Sequence, residues 1–331
     1  ADDQKLHAVI LGSMGIVHGI QGDSRRALEH FGQQAQLWQE LGDKLGASVA
    51  TGNMGVEYEN QGSYARALEC YLEQLRVCSE MGDLRRAGVA VGNIGLLYYL
   101  YGDAERALRC FAHQLRLGIE LGDRGMISFA LSDVADVYKM RERYDDAARF
   151  YDGAIALGHS LNIRYDLCGY LYKKADLFAR QEQYMAAQGI VTEALEVASQ
   201  VENQEVEFQA QVLQVCLGAW SGQTEMATTV ERLAALLEQA ASPEQQAAVY
   251  YELWRLRQHD SHRQQAADRY QELYAQAPNW DYRQRYQELT GQDLPAAPDL
   301  PELPGMITRE HGELAALLVR ASQYMDRSTD A

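Results

Sequence analysis

The sequence predicts an all-α protein: a right-handed solenoid of about seven stacked, antiparallel helix pairs. Three observations lead there. An alanine recurs every forty residues without a slip, at Ala27, Ala67, Ala107, Ala147, Ala187, Ala227 and Ala267. Turn residues keep the same register, as Gly22, Gly62, Gly102, Glu142, Glu182 and Gly222. Between the turns, apolar residues return at three- and four-residue spacings, the period of a helix face. Self-similarity of this length marks a repeat array in which each unit buries its apolar face against its neighbours.

The third unit illustrates each element in turn. Its first helix is expected over 85–101 and its second over 104–121. Gly102-Asp103 and Gly122-Asp123 each supply a glycine stop followed by an acidic N-cap. The corresponding second turns end at Asp43, Asp83, Asp123 and Ile163. In the first helices, small residues form the column Gly15, Gly55, Gly95, Ala135 and Ala175. Three residues beyond them stand His18, Tyr58, Tyr98, Tyr138 and Phe178. In the second helices, Phe31, Tyr71, Phe111 and Tyr151 follow the alanine by four. Packed helix axes lie about 8–10 Å apart, so Gly95 and Ala107 suit the crossing while Tyr98 and Phe111 fill the space beside it. The chain has 6 prolines, four of them at 295, 298, 301 and 304, which leaves the rest free to form long helices.

The expected organisation follows. A solenoid covers 1–277, with repeats strong to 163 and divergent after. A short capping helix covers 278–290, and an acidic, proline-rich linker covers 291–306. An amphipathic helix and tail occupy 307–331, with Leu314, Leu317, Leu318 and Tyr324 on or near one face.

Composition narrows the function classes. A net charge of −17 is the reverse of a nucleic-acid-binding footprint and disfavours anionic membrane surfaces. No apolar run reaches the length of a membrane span, so no membrane insertion is expected. Basic protein or peptide partners would be attracted. The five cysteines, at 70, 78, 110, 168 and 216, are odd in number and form no CxxC pair. That argues against structural zinc and a disulfide framework, and it suits a reducing, cytoplasmic compartment.

Ile94-Gly95-x-x-Tyr98 in the first helix and Ala107-x-x-x-Phe111 in the second resemble the tetratricopeptide pattern. The period of forty, with GNxG opening the first helix and ELGD closing the second, is similar to the units of the LGN/Pins spindle-orientation adaptors. It is more loosely similar to kinesin light chain and to tetratricopeptide arrays of bacterial signalling proteins. The resemblance is strong over 7–163 and fades towards 277. It implies that the positions three before and one after the small residue face a concave groove that takes an extended peptide.

On that assignment the groove is lined by Val49, Gly52, Asn53 and Val56 in the second unit. In the third it is lined by Val89, Gly92, Asn93, Leu96, Tyr99 and Leu100. Val9, Ile16 and Ile20 extend the apolar strip into the first unit. Units four and five contribute Asp133, Asp136, Lys173 and Asp176 instead. Gly92, unexplained by the helix crossing, is expected to bare the groove floor beside Asn93. The resemblance implies that Asn53 and Asn93 pair with a peptide backbone; the second asparagine of such clamps is replaced here by Val56 and Leu96. The expected ligand is apolar over units one to three and carries a basic residue near Asp133 and Asp136.

No phosphate loop, HExxH or GxSxG motif is present. His259 and His262 lack a further metal ligand in the sequence, and no cofactor or metal is expected. The chain is therefore expected to be a non-catalytic scaffold for protein–protein interaction. The alternative is a sensor or regulatory arm of a larger ATPase-, cyclase- or protease-linked signalling protein.

Overall fold

A computed structural model describes residues 2–297, 299–308, 316–317 and 319–320. All regular structure among them is helical, and the long helices come in consecutive pairs. The first three pairs are α1 (Asp2–Ile20) with α2 (Ser24–Glu40), α3 (Lys44–Asn60) with α4 (Tyr64–Glu80), and α5 (Leu84–Leu100) with α6 (Ala104–Leu121). Next come α7 (Arg124–Met140) with α8 (Tyr144–Leu161), and α9 (Arg164–Arg180) with α10 (Tyr184–Gln200). The divergent part holds α11 (Gln204–Trp220), α12 (Met226–Gln239), α13 (Pro243–Arg257) and α14 (Asp260–Gln276). Two short helices follow, α15 (Trp280–Thr290) and α16 (Gly305–Thr308). The chain is thus an all-α repeat protein of the α-solenoid class.

The turns explain why the register never slips. Each hairpin turn requires one residue in the left-handed region, supplied by Gly22, Gly62 and Gly102 at φ 75°, 69° and 82°. Glu142 and Glu182 hold the same conformation at φ 56° and 59°, so the backbone demand persists where the glycine is lost. The next residues but one begin a helix, and Asp23, Asp43, Asp83 and Asp103 accept a hydrogen bond from the backbone N–H three residues on. This satisfies one of the otherwise orphaned donors of the first turn.

The chain clusters into two compact units. Unit 1 comprises Ala1–Met126, Gln276–Pro278 and Ala297–Leu317; unit 2 comprises Ile127–Ala275, Asn279–Ala296 and Leu318–Ala331. In unit 1 each helix from α1 to α6 packs on the next, and in unit 2 the same holds from α8 to α13. The crossings are as tight as the small columns require. A β-carbon at Gly95 would lie 2.6 Å from Cε1 of Phe111 and 2.9 Å from Cβ of Cys110, and one at Gly55 would lie 2.6 Å from Cε1 of Tyr71. Ala27, Ala67, Ala107, Ala147 and Ala187 are wholly buried, and Ala267 nearly so.

Ala227 breaks the column: it is exposed. The turn before α12 is longer than its counterparts, so α12 starts at Met226 and Ala227 falls in its first turn, ahead of the packed face. Thr229 is buried there instead, with its hydroxyl donating to Glu225 O.

The segment expected to be a linker is docked. Leu300, Leu303 and Ile307 are buried, Tyr98 OH donates to Pro301 O, and Arg106 Nη1 donates to Leu300 O at 3.3 Å. Residues 299–308 thus form a strap on unit 1, and α16 packs on α6. Of the amphipathic helix expected beyond, Leu317 is buried, while Leu314, Leu318 and Tyr324 lie outside the described residues. Near the capping-helix position, α15 is capped by Asn279, and Leu289, Tyr282 and Tyr286 pack against Tyr251 and Tyr270 in unit 2.

Candidate functional site

The predicted site residues fall into two groups, one in each unit. On α3 and α5 of unit 1, the residues three before and four after each stripe glycine reach solvent. Val56, Val89 and Leu96 are 42%, 47% and 37% exposed, and Val49, Asn53, Asn93, Tyr99 and Leu100 are half-buried. Val9, Ile16 and Ile20 on α1 are also exposed, so an apolar stripe runs over the first helices of three successive repeats. The side chains of Asn53 and Asn93 make no hydrogen bond to any described residue.

Gly52 and Gly92 do not bare a groove floor. Both are buried, and each is covered by a glutamine from the second helix of its own hairpin. A β-carbon at Gly52 would lie 2.6 Å from Cδ of Gln74, one at Gly92 2.8 Å from Cδ of Gln114, and one at Gly12 2.9 Å from Cδ of Gln34. The absence of a side chain at these positions leaves room for the amide against the first helix. Gln34, Gln74 and Gln114 are buried, at 8%, 6% and 7% exposure, and stand forty residues apart. In all three the Oε1 atom has no hydrogen-bond partner among the described residues. Sequence reasoning missed this column although its period is plain, because glutamine is ordinarily a surface residue.

An orphaned buried carbonyl costs about 1–3 kcal/mol. Its repetition at the same place in three units makes it a feature of the repeat and not an accident of one hairpin. Two shallow depressions lie in this part of unit 1, the first of them touching the Gln34 amide. One is bounded by Gln34, Trp38, Gly46, Val49 and Arg86; the other by Ile16, Ile20, Asn53, Val56, Glu57 and Asn60.

The second group forms a closed charge network in unit 2. Asp136 is buried at 7% exposure, accepts from Tyr151 OH at 2.5 Å and pairs with Lys173 Nζ at 2.6 Å. It is therefore satisfied from within and is not an open acceptor for a ligand's basic residue. Burial pushes the Asp133 carboxyl up to about 7, with Lys173 opposing the shift and Asp136 adding to it. Burial alone would lower the Lys173 ammonium; Asp136 and Asp133 overcome this and hold it above its ordinary value. Asp176 faces Arg180 Nε at 3.0 Å and Lys139 Nζ at 3.4 Å. Burial works against the Asp176 carboxylate, yet Arg180, Lys139 and Arg285 hold it well below the usual carboxylate range.

Arg285 comes from α15 and, with Tyr172, Asp176, Phe208, Tyr270 and Tyr282, lines a cavity in unit 2. Its guanidinium stands 4.2 Å from the centre of the Tyr251 ring and 3.5 Å from Asp281 Oδ2. At Asp136 it is Lys173 of the chain itself that stands where a ligand's basic group was expected. Among the described residues, no three His, Cys, Asp or Glu side chains gather as for a metal ion.

No protein-family model matches the chain, and no curated protein matches it in sequence. Solved structures do match it in fold. A Rap protein complexed with competence and sporulation factor is similar over 86% of this chain and 75% of its own, with a TM-score of 0.62 and 14% identity. The apo form of the quorum sensor NprR from B. thuringiensis is similar over 86% of this chain and 75% of its own, with a TM-score of 0.62 and 15% identity. A signal-transduction ATPase with a tetratricopeptide repeat sensor, from Pyrococcus horikoshii, is similar over 95% of this chain and 44% of its own, with a TM-score of 0.58 and 11% identity. The likeness is one of fold, and that fold is of the tetratricopeptide type.

Proposed function

We propose that the chain is a non-catalytic, intracellular binding scaffold that receives an extended peptide segment of another protein along the stripe of unit 1. The observation that carries this reading is the row of three buried glutamine oxygens, one per repeat, none of which has a donor among the described residues. An extended backbone is a row of N–H donors with side chains alternating to either side. It can therefore meet acceptors at regular stations while its side chains rest on Val49, Val56, Val89 and Leu96. Asn53 and Asn93, free of internal bonds, offer both a donor and an acceptor to the same backbone. The Rap protein of similar fold was crystallised with a competence and sporulation factor, which supports reading such an array as a receptor. The five thiols, four buried and Cys70 half-buried, form no disulfide among the described residues, which fits a reducing compartment.

A second reading is favoured by the ATPase of similar fold, whose repeats are described as a sensor. In it, this chain is the sensor arm of a larger signalling protein, and the same stripe receives the signal. One experiment addresses the shared core of both readings. A phage-displayed library of random dodecapeptides is selected on the immobilised chain, and enriched peptides are titrated calorimetrically. Replacing Gln34, Gln74 and Gln114 together by leucine should lower their affinity about tenfold or more. Absence of any enriched peptide, or an unchanged affinity in the triple variant, would overturn the proposal.

A further inference from the structure

One residue of the stripe breaks the repeat rule. The column in which Glu57 stands reads Val17, Glu57, Leu97, Val137, Leu177 and Leu217. Leu97, Val137, Leu177 and Leu217 are wholly buried core residues. Only in the second repeat does this core position carry a carboxylate. Glu57 is 5% exposed, and its Oε2 has no hydrogen-bond partner among the described residues. A β-carbon at residue 19 would lie 3.3 Å from Cδ of Glu57, so the glycine at that position of α1 makes room for the carboxyl group.

Burying a carboxyl oxygen without a hydrogen-bond partner is unfavourable. Neighbouring repeats fill the same place with aliphatic side chains, so packing does not call for a carboxylate. Local rules broken in one repeat of an otherwise regular array point to function.

The surroundings define the missing partner. The depression holding Glu57 is lined by Ile16, Ile20, Phe31, Asn53, Val56 and Asn60, and no lining residue is cationic. Apolar walls suit a long aliphatic stem, and the two asparagine amides can steady a polar head beside the carboxylate. Lysine and arginine have this build, with an apolar stem and a charged end. The unmatched oxygens along the stripe, on Gln34, Gln74, Gln114 and Glu57, are all acceptors, so an occupant must bring donors.

Resting on the peptide-binding reading above, we propose that Glu57 is a specificity-determining residue that receives the cationic head of an arginine or lysine side chain carried by the bound segment. The guanidinium or ammonium lies against the Glu57 carboxylate, and the stem lies between Ile16, Ile20 and Val56. The basic anchor is thus assigned to unit 1 and not to Asp136, which is met by Lys173 and Tyr151.

The test uses the full chain and the random dodecapeptide library, with the strongest enriched peptide remade with norleucine in place of its basic residue. Enriched sequences should share one Arg or Lys flanked by aliphatic residues. Glu57→Gln should weaken the basic peptide about tenfold or more and leave the norleucine analogue unchanged. Peptides enriched without a shared basic residue would overturn the assignment while leaving the groove reading intact. So would a Glu57→Gln variant that weakens both peptides equally. Should Glu57→Gln fail to fold, the parent chain titrated with the two peptides decides, equal affinity overturning the assignment. A library yielding no peptide at all would instead overturn the groove reading on which it rests.

Discussion

The amide of Gln114 occupies the space that a side chain at Gly92 would need: a β-carbon built there would stand 2.8 Å from Gln114 Cδ. The glycine and the glutamine are one device, repeated as Gly52 with Gln74 and as Gly12 with Gln34. Gly95, one turn further along α5, meets a different neighbour, the ring of Phe111.

This contrast separates two alanine substitutions that look alike in sequence. Gly95→Ala drives a methyl into a packed aromatic ring and a cysteine β-carbon, and overpacking of this kind costs about 1–3 kcal/mol. Gly92→Ala displaces only the end of a flexible side chain, and the helix gains about 1 kcal/mol from the exchange. Urea unfolding should show Gly95→Ala clearly destabilised and Gly92→Ala close to the parent. Equal losses in the two variants would contradict the packing described.

Replacing Gln74 by leucine should stabilise the protein. The substitution keeps most of the side-chain volume and removes a buried acceptor that has no donor, a penalty of about 1–3 kcal/mol. A raised melting temperature together with weaker peptide binding would show stability yielding to function at one atom. A lowered melting temperature would mean that the Gln74 carbonyl is satisfied in solution.

The pH dependence follows from Asp133. An unfolded aspartate titrates near pH ~3.9, while burial pushes Asp133 in the folded chain up to about 7. Between these values the folded chain holds a proton that the unfolded chain has released. Stability contributed at this site is therefore present at low pH and falls as pH rises towards 7. Asp133→Asn should flatten the change in urea midpoint between pH 5 and pH 8 and raise the midpoint at pH 8. Asp176, held low by Arg180, Lys139 and Arg285, acts in the opposite sense, and its contribution is lost only at acid pH below that window.

The strap over 299–308 gives a local prediction. Tyr98→Phe keeps the buried ring but removes the donor to Pro301 O, a loss of about 1 kcal/mol. Limited proteolysis should then cut within the strap faster than in the parent, while the melting temperature of the helix pairs changes little. Leu303→Ala should act in the same direction, since Leu303 is buried there.

Much of the architecture was readable because each repeat column answers a local requirement. Ala107 and Gly95 mark a close crossing, and Gly102-Asp103 marks a left-handed stop followed by a cap. Such needs depend on residues within one hairpin, so spacing reveals them. Ala227 misled because its column position was kept while the preceding turn lengthened and moved the start of α12. The strap was read as a linker because Leu300, Leu303 and Ile307 are too sparse among prolines and acids to form a periodic face; only a partner surface on α5 and α6 makes them core. At the candidate site, the exposed apolar residues of α3 and α5 were found from their stripe. The Gln34, Gln74 and Gln114 column and the lone Glu57 were equally visible in register. Their meaning required knowing that these positions are buried, which no single helix face discloses. Asp136 was misread for the converse reason: its partners Tyr151 and Lys173 come from other helices.

The absence of any insertion between Ala27 and Ala187 makes the chain its own ruler. Excising 44–83 would take away α3 and α4 together, and with them Gly52, Glu57 and Gln74, while Gln34 and Gln114 became neighbours in phase. The shortened molecule would keep two backbone stations and lose the carboxylate that receives the basic side chain, and it would read a ligand shorter by one repeat's span. Ligand length in such a protein is counted in whole repeats, so it changes by duplication or deletion of a unit and not by gradual drift of single residues.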